Sequence, residues 1–204
     1  MTNSDTSVEE GIAQPFDRRY SGFCFGQASG CLILEVAESA TQRGIALLTK
    51  IAAGSIVLDA NRMTNPSFSG ECQIMRNVLQ QAGLNPEDID YVNAHGTGTL
   101  LGDEVESHAI NAIFAPTGKI PKVNSTKSLL GHCLFSAGLV EAIATVVQMT
   151  GGFLHANPYL EDRVNNDCHY VGKNTEPFEI QHAINNSFGF AGINSSLIIS
   201  RSSR

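Results

Sequence analysis

Apolar positions at Ile74, Val78, Leu79 and Ala82 recur at helical spacing and predict a helix over residues 71–82. Gly83 stops it, and Pro86-Glu87-Asp88 turns the chain. Residues 89–93 read as a strand, a glycine-rich stretch follows, and a helical run extends from Asp103 to Phe114. Residues 122–125 predict another strand end, and residues 137–149 a long apolar helix. Upstream, residues 22–35 alternate poorly and are rich in glycine, phenylalanine and small side chains, which suggests a tight strand pair or one close-packed strand. Residues 39–43 make a short helix or turn. Residues 46–58 make a strand bent at Gly54, and residues 59–70 a loop. The tail offers four short strands, at 170–171, 178–180, 183–186 and 196–200. Helix and strand alternate as far as Met149, so the class is α/β, with a parallel or mixed sheet covered on its faces.

Composition narrows the field. Thirteen basic and twenty acidic residues give a net charge of −7, against the basic face that nucleic acid requires. No apolar run approaches the ~20 residues of a membrane span. The first fourteen residues are polar and acidic. They read as a flexible leader (1–14) rather than a signal peptide, ahead of one domain at 15–204. Five cysteines form no CxxC pair and no metal-ligand spacing. An odd count without an export signal fits reduced thiols and a cytoplasmic protein.

Candidate chemistry sits in two stretches, 93–99 (NAHGTGT) and 127–132 (KSLLGH). Each places a histidine among small residues after a predicted strand, where α/β folds bind ligands. Histidine exchanges protons near neutrality, and a neighbouring glycine leaves room for a substrate. A lone His-Gly is more often a turn. His108, His155, His169 and His182 have no such setting and read as surface or satisfied groups.

These stretches resemble the HGTGT and KSxxGH motifs of the β-ketoacyl synthases, the condensing enzymes of fatty-acid and polyketide synthesis. Residues 186–194 (NSFGFAGIN) resemble the family's NSFGFGGTN loop. Pro15-Phe16-Asp17 with residues 22–35 resembles its RPFD…DGFV.GEG.G.LVLE segment. The four occur in order over nearly the whole chain. The resemblance implies a thiolase-like layered α/β/α/β/α fold. This chain would supply the C-terminal half plus the last strands of the N-terminal half.

It further implies a decarboxylative Claisen condensation between an acyl thioester and malonyl-acyl carrier protein. His95 and His132 would be hydrogen-bond donors to the thioester oxygen, and His95 could help a water take up carbon dioxide. Lys127 would fix the state of the histidine pair, supported by Glu141. Thr97 and Thr99 would meet the phosphopantetheine arm of the carrier, the substrate's only carrier group, with no covalently bound cofactor. Their other reading is backbone-bonded turn residues. Phe190 would be a gate hinged at Gly189. Asp103 and Glu106 read as helix-cap and dipole partners.

Two features depart from the family pattern. Ala191 and Ile193 replace glycine and threonine in the gate loop, and alanine reaches positive φ less freely. No cysteine sits in the family's nucleophile motif. The expected partner is therefore an N-terminal ketosynthase half carrying the catalytic cysteine, joined through a large apolar interface. Acyl carrier protein and a higher oligomer through the ketosynthase dimer interface complete the expected partners; nucleic acid and membrane are not expected. A natural split, a truncation or relic, and a non-catalytic subunit like a chain-length factor that shapes an acyl tunnel all remain open. The polar start at Met1 favours the split. Arg18, Arg19 and Arg43 are the densest basic residues and could make a carrier-docking patch, or be scattered solubilising charge.

Overall fold

The computed structural model describes residues 12–20 and 22–202. Eight strands and five α-helices are assigned among them. The strands β1 (Thr49–Leu58), β2 (Tyr91–Asn93), β3 (Lys122–Asn124), β5 (His169–Tyr170), β7 (His182–Gly189) and β8 (Ile193–Arg201) form one sheet in the order β1-β8-β7-β2-β3-β5. β7, β2, β3 and β5 run parallel, while β8 and β1 pair antiparallel on the far side of β7. The sheet is therefore mixed.

Alternation along the central strands sorts side chains onto two faces. Val92, Val123, Ile184 and Ile198 pack under α2 (Phe68–Ala82) and α3 (Leu100–Phe114), against Met75, Val78, Leu79, Ile110 and Phe114. Tyr91, Ala183 and Ile199 point the other way, onto Ala142 and Met149 of α5 (Ala137–Gly151). The result is helix, sheet, helix: three of the layers that the thiolase-like fold predicts.

The predicted helices form for the expected reasons. The Ser67 side chain accepts the Gly70 N–H at the start of α2, and Gly83 closes it in the left-handed region at φ 66°. The helix begins three residues earlier than predicted. The stretch Leu134–Gly151, α5 with its leading turn, is long and apolar enough to cross a membrane by length and composition, contrary to the sequence reading. Here it packs on the sheet and carries Glu141 inward.

Other expectations need correction. The irregularity in β1 falls between Ile51 and Ala53, where Ala52 is the extra residue; Gly54 stays in register with Leu197. Residues 178–180 are not a strand. β6 (Glu176–Pro177) pairs with β4 (Phe153–Leu154) just before them, and Ile180 serves the core instead. Residues 22–35 contain no regular strand, only the bridge Phe25–His132. The predicted leader lies largely outside the described residues, although Ala13 at its end is buried.

Candidate active site

The parallel strands β2, β3 and β7 end side by side, and the chain leaving them carries the predicted site. A row of buried asparagines aligns these ends. Asn93 is in register with both Asn124 and Asn185. Its Nδ2 donates to Asn185 Oδ1 at 2.7 Å, and its Oδ1 accepts from Thr126 N (3.2 Å) and Oγ1 (2.7 Å). Buried polar groups must be paired, so this row admits one alignment of the three ends.

The loop after β2 is held from below by α3. Glu106 accepts His95 N (2.9 Å) with Oε1 and Gly96 N (2.8 Å) with Oε2. Asp103 accepts Thr97 N and Gly98 N with Oδ1, and Phe16 N with Oδ2. These carboxylates therefore shape the histidine loop, a role that the cap-and-dipole reading missed. Burial pushes Asp103 up to about 7 and also raises Glu106, against the lowering effect of the N–H donors. Glu71, buried on α2, is held up at about 10 by burial and by the nearby Glu106, Asp59 and Asp103. Gly96 has no alternative: a Cβ there would lie 2.8 Å from the Phe16 ring and 2.9 Å from Ser125 Cβ.

Lys127 opens the short helix α4 (Lys127–Leu130), after β3. Only 2 % exposed, its ammonium donates to Glu141 Oε1 (2.5 Å) and to His95 O (2.6 Å), and lies 3.3 Å from His95 Nδ1. An ammonium has no lone pair, so His95 Nδ1 is the acceptor and Nε2 carries the ring proton. His132 is fixed in the same sense, because its Nδ1 accepts Leu134 N–H at 3.0 Å. The two rings meet edge to face, 5.5 Å between centroids, with Phe188 beside His95 (5.8 Å) and Phe23 beside His132 (5.4 Å). Burial, then Lys127, then His132 hold His95 well below the usual imidazole range. Burial and Lys127 hold His132 at about 4. At neutral pH both rings are uncharged and each has one Nε2–H to give.

The remaining predicted residues fall nearby or apart. Thr97 and Thr99 hydrogen-bond each other through their hydroxyls at 2.9 Å. Gly189 ends β7, and Phe190 is 63 % exposed in the turn to β8. Ala191 does occupy the left-handed region, at φ 60° and ψ 25°, with its N–H on Met63 O. Asp59 escaped the sequence reading. Its backbone N–H reaches Gly192 O (3.0 Å) and its Oδ2 accepts Asn194 Nδ2 (2.9 Å), 135 positions away. A Cβ on Gly192 would lie 1.7 Å from the Asp59 carboxylate, so the turn closes directly over it.

Burial works against thiolate formation at three of the five cysteines. Cys72, Cys133 and Cys168 are buried, and burial raises each thiol, Cys168 to about 12. Cys133 follows His132, yet its sulfur points back at Leu130 O and Gly131 O. Cys24 and Cys31 lie in the irregular segment. His155 is a satisfied buried group between Ala156 O and Thr126 Oγ1. The arginines are engaged: Arg19 with Asp17 and Glu161, Arg43 with Glu35, and Arg18 with the carbonyls of Arg163 and Val164.

Residues 47–161 match the family model described as beta-ketoacyl synthase, C-terminal domain. The chain is 38 % identical over 198 residues to the polyketide biosynthesis malonyl-ACP decarboxylase PksF of Bacillus subtilis, covering 97 % of this chain and 47 % of that protein. It is 40 % identical over 190 residues to the chloroplastic 3-oxoacyl-[acyl-carrier-protein] synthase I of Arabidopsis thaliana, covering 90 % and 39 %. Among solved structures, the ishigamide ketosynthase/chain length factor superposes with a TM-score of 0.89 at 31 % identity, covering 96 % of this chain and 48 % of that one. A type II ketosynthase in complex with its acyl-carrier protein, AntDE:AntF, gives 0.89 at 28 % identity, covering 99 % and 51 %. The chain thus spans about half the length, or less, of these proteins. It belongs to the β-ketoacyl synthase family, as a C-terminal domain of the thiolase-like ketosynthase fold.

Proposed function

We propose that this chain supplies the histidine half of a β-ketoacyl synthase site that a partner chain completes with the nucleophilic cysteine. The observation that carries the reading is the pair of uncharged imidazoles, each with its Nδ1 occupied and its Nε2–H free to donate. The partner's cysteine holds an acyl group as a thioester. A malonyl thioester on the phosphopantetheine arm of acyl carrier protein enters, its arm received by Thr97 and Thr99. The bond to the malonyl carboxylate breaks, carbon dioxide leaves, and the electron pair passes to the thioester oxygen as an enolate. His95 and His132 donate to that oxygen. The enolate carbon then forms a bond to the acyl carbonyl carbon, and the cysteine leaves as thiolate. Lys127 and Glu141 keep His95 in its donor form. Phe190, swinging on Gly189, admits the two acyl groups in turn.

Exposed apolar side chains support the partner chain. Ile33 is 92 % exposed, and Leu34, Ile56, Leu58 and Phe135 are also open to solvent, a surface that a stable chain covers. From Gln27 to Glu35 no backbone group pairs with another backbone group among the described residues.

A second reading, malonyl decarboxylation without condensation, is favoured by the similarity to a malonyl-ACP decarboxylase. It needs the same two donors. A scaffold subunit that shapes an acyl tunnel needs neither. Co-expression with an N-terminal ketosynthase half, then assay with acyl- and malonyl-loaded carrier protein, separates the three. Condensed product that falls about 10²–10³-fold in His132→Ala supports the proposal, the cost of one lost oxyanion donor. Acetyl carrier protein without condensed product selects the second reading. Activity indifferent to His132→Ala selects the scaffold.

A further inference from the structure

His132 sits on a turn whose local bonds reach its ring, through Leu134 N–H on Nδ1, but not its backbone N–H or C=O. It follows a four-residue helix and precedes Leu134, whose φ is +51°. The backbone of His132 is instead gripped by a segment more than a hundred positions earlier. His132 N–H donates to Cys24 O at 2.7 Å, and Gly26 N–H donates to His132 O at 3.0 Å. The two bonds flank Phe25 and make a single parallel bridge between Phe25 and His132. Phe23 lays its ring edge-on to the His132 imidazole.

The crossing is too close for side chains. A Cβ on Gly26 would lie 2.0 Å from Leu130 O, and one on Gly131 3.0 Å from Cys24 O. Two positions on, Ser136 Oγ donates to Ala28 O at 2.7 Å and pins the same segment to the start of α5. Past Ala28 the segment changes character. Among the described residues its backbone finds no backbone partner as far as Glu35, and Ile33 and Leu34 face solvent. One end clamps a histidine, and the other is a run of backbone without backbone partners among the described residues, of the kind that another chain's sheet adds to.

We infer that residues 23–28 are a positioning element for His132, that Gly26 is the residue that admits the close crossing, and that pairing of residues 29–35 by a partner chain orders this clamp and thereby aims His132. The coupling to a partner rests on the function proposed above; the clamp itself does not.

Imidazole NMR titration of the full 204-residue chain, labelled at histidine and studied alone and with the candidate N-terminal half, reads both parts. In the chain alone, Gly26→Ala should move the His132 midpoint from about 4 upward by about one pH unit or more as the ring loses its cover. His155, paired elsewhere, should not move. A folded Gly26→Ala chain with an unchanged His132 overturns the clamp. Should that variant not fold, Ser136→Ala decides, since its hydroxyl reaches Ala28 O and also Cys133 O at 2.8 Å, while the turn keeps its Ser136 N–H bond to Cys133 O: a smaller upward shift supports the clamp and an unchanged midpoint overturns it. Adding the partner should sharpen the wild-type His132 resonance and leave that of the loosened variant broad. A complex that forms without changing the His132 signal overturns the coupling alone. Absence of any complex sinks the partner reading while leaving the clamp decided by the isolated chain.

Discussion

Glu106 takes the backbone N–H of His95 on one carboxylate oxygen and that of Gly96 on the other. Asn186 Nδ2 also donates to Oε1, at 3.2 Å. Every hydrogen bond to this carboxylate comes from an N–H donor, so an amide in its place would aim N–H at N–H. Glu106→Gln is expected to cost about 1–3 kcal/mol of folding free energy, measured by urea unfolding. It should also lower the activity of the assembled enzyme. Glu104→Gln, on the exposed side of α3, should do neither.

Lys127 and Glu141 form a buried pair, and Glu141 Oε2 has no hydrogen-bond partner. Lys127→Met would leave the carboxylate buried with neither oxygen paired to a cation, a loss of about 3–5 kcal/mol. Lys127→Met with Glu141→Leu should recover most of that stability, because an apolar pair suits an apolar site. Activity should stay low in both variants, since His95 Nδ1 has lost the donor that fixes its proton on Nε2. Thermal unfolding and the condensation assay together read the split.

The histidines make the fold sensitive to mild acid. An unfolded imidazole titrates near 6.5, and His132 in the folded chain near 4. Between those values the unfolded state holds a proton that the folded state refuses, so stability falls as the pH drops from about 6.5 to about 4 and this contribution is constant below. His95, held well under its usual range, adds loss in the same direction. Asp17, lowered to about 2 by Arg19 and three backbone donors against its burial, loses its contribution only below about 4. Asp103, held at about 7, and Glu71, at about 10, act with the opposite sign, because the folded state keeps protons there that the unfolded state gives up. The histidine contribution is therefore read as a difference: the stability of the wild type relative to His132→Gln, from urea midpoints, should fall as the pH drops from about 6.5 to about 4.

Ala191 at φ 60° carries a cost that glycine would not. Ala191→Gly is expected to raise stability by up to about 1 kcal/mol, because relief of strain exceeds the added freedom of the unfolded chain. Differential scanning calorimetry checks it. In the assembled enzyme the same change tests whether the stiffer turn restricts Phe190.

Local sequence marked where a site could open, and the resemblance to the β-ketoacyl synthases gave its residues their expected roles. His95 and Lys127 lie within short runs whose small residues and preceding strands are recognisable without long-range information, and α2, α3 and α5 follow from apolar spacing. What escaped is what depends on distant partners. Nothing near Asp59 shows that its carboxylate will meet Asn194, and nothing near Gly26 shows that it will cross Gly131. Asp103 and Glu106 were legible as acidic residues in an opening helix turn, but not as acceptors for the loop ahead of it. Residues 22–35 failed as a strand because a strand is defined by its neighbour, and none of the described residues offers one. β6 was displaced for a similar reason, since the short β4 was not foreseen.

The Lys127–Glu141 pair, at 2 % and 3 % side-chain exposure, has one more consequence. Mobile ions screen charges across water and do not enter such a space. Added salt should therefore leave the chemical step alone while acting on any charge-guided approach of the carrier. A rate measured with saturating carrier and one measured with scarce carrier should part company as ionic strength rises.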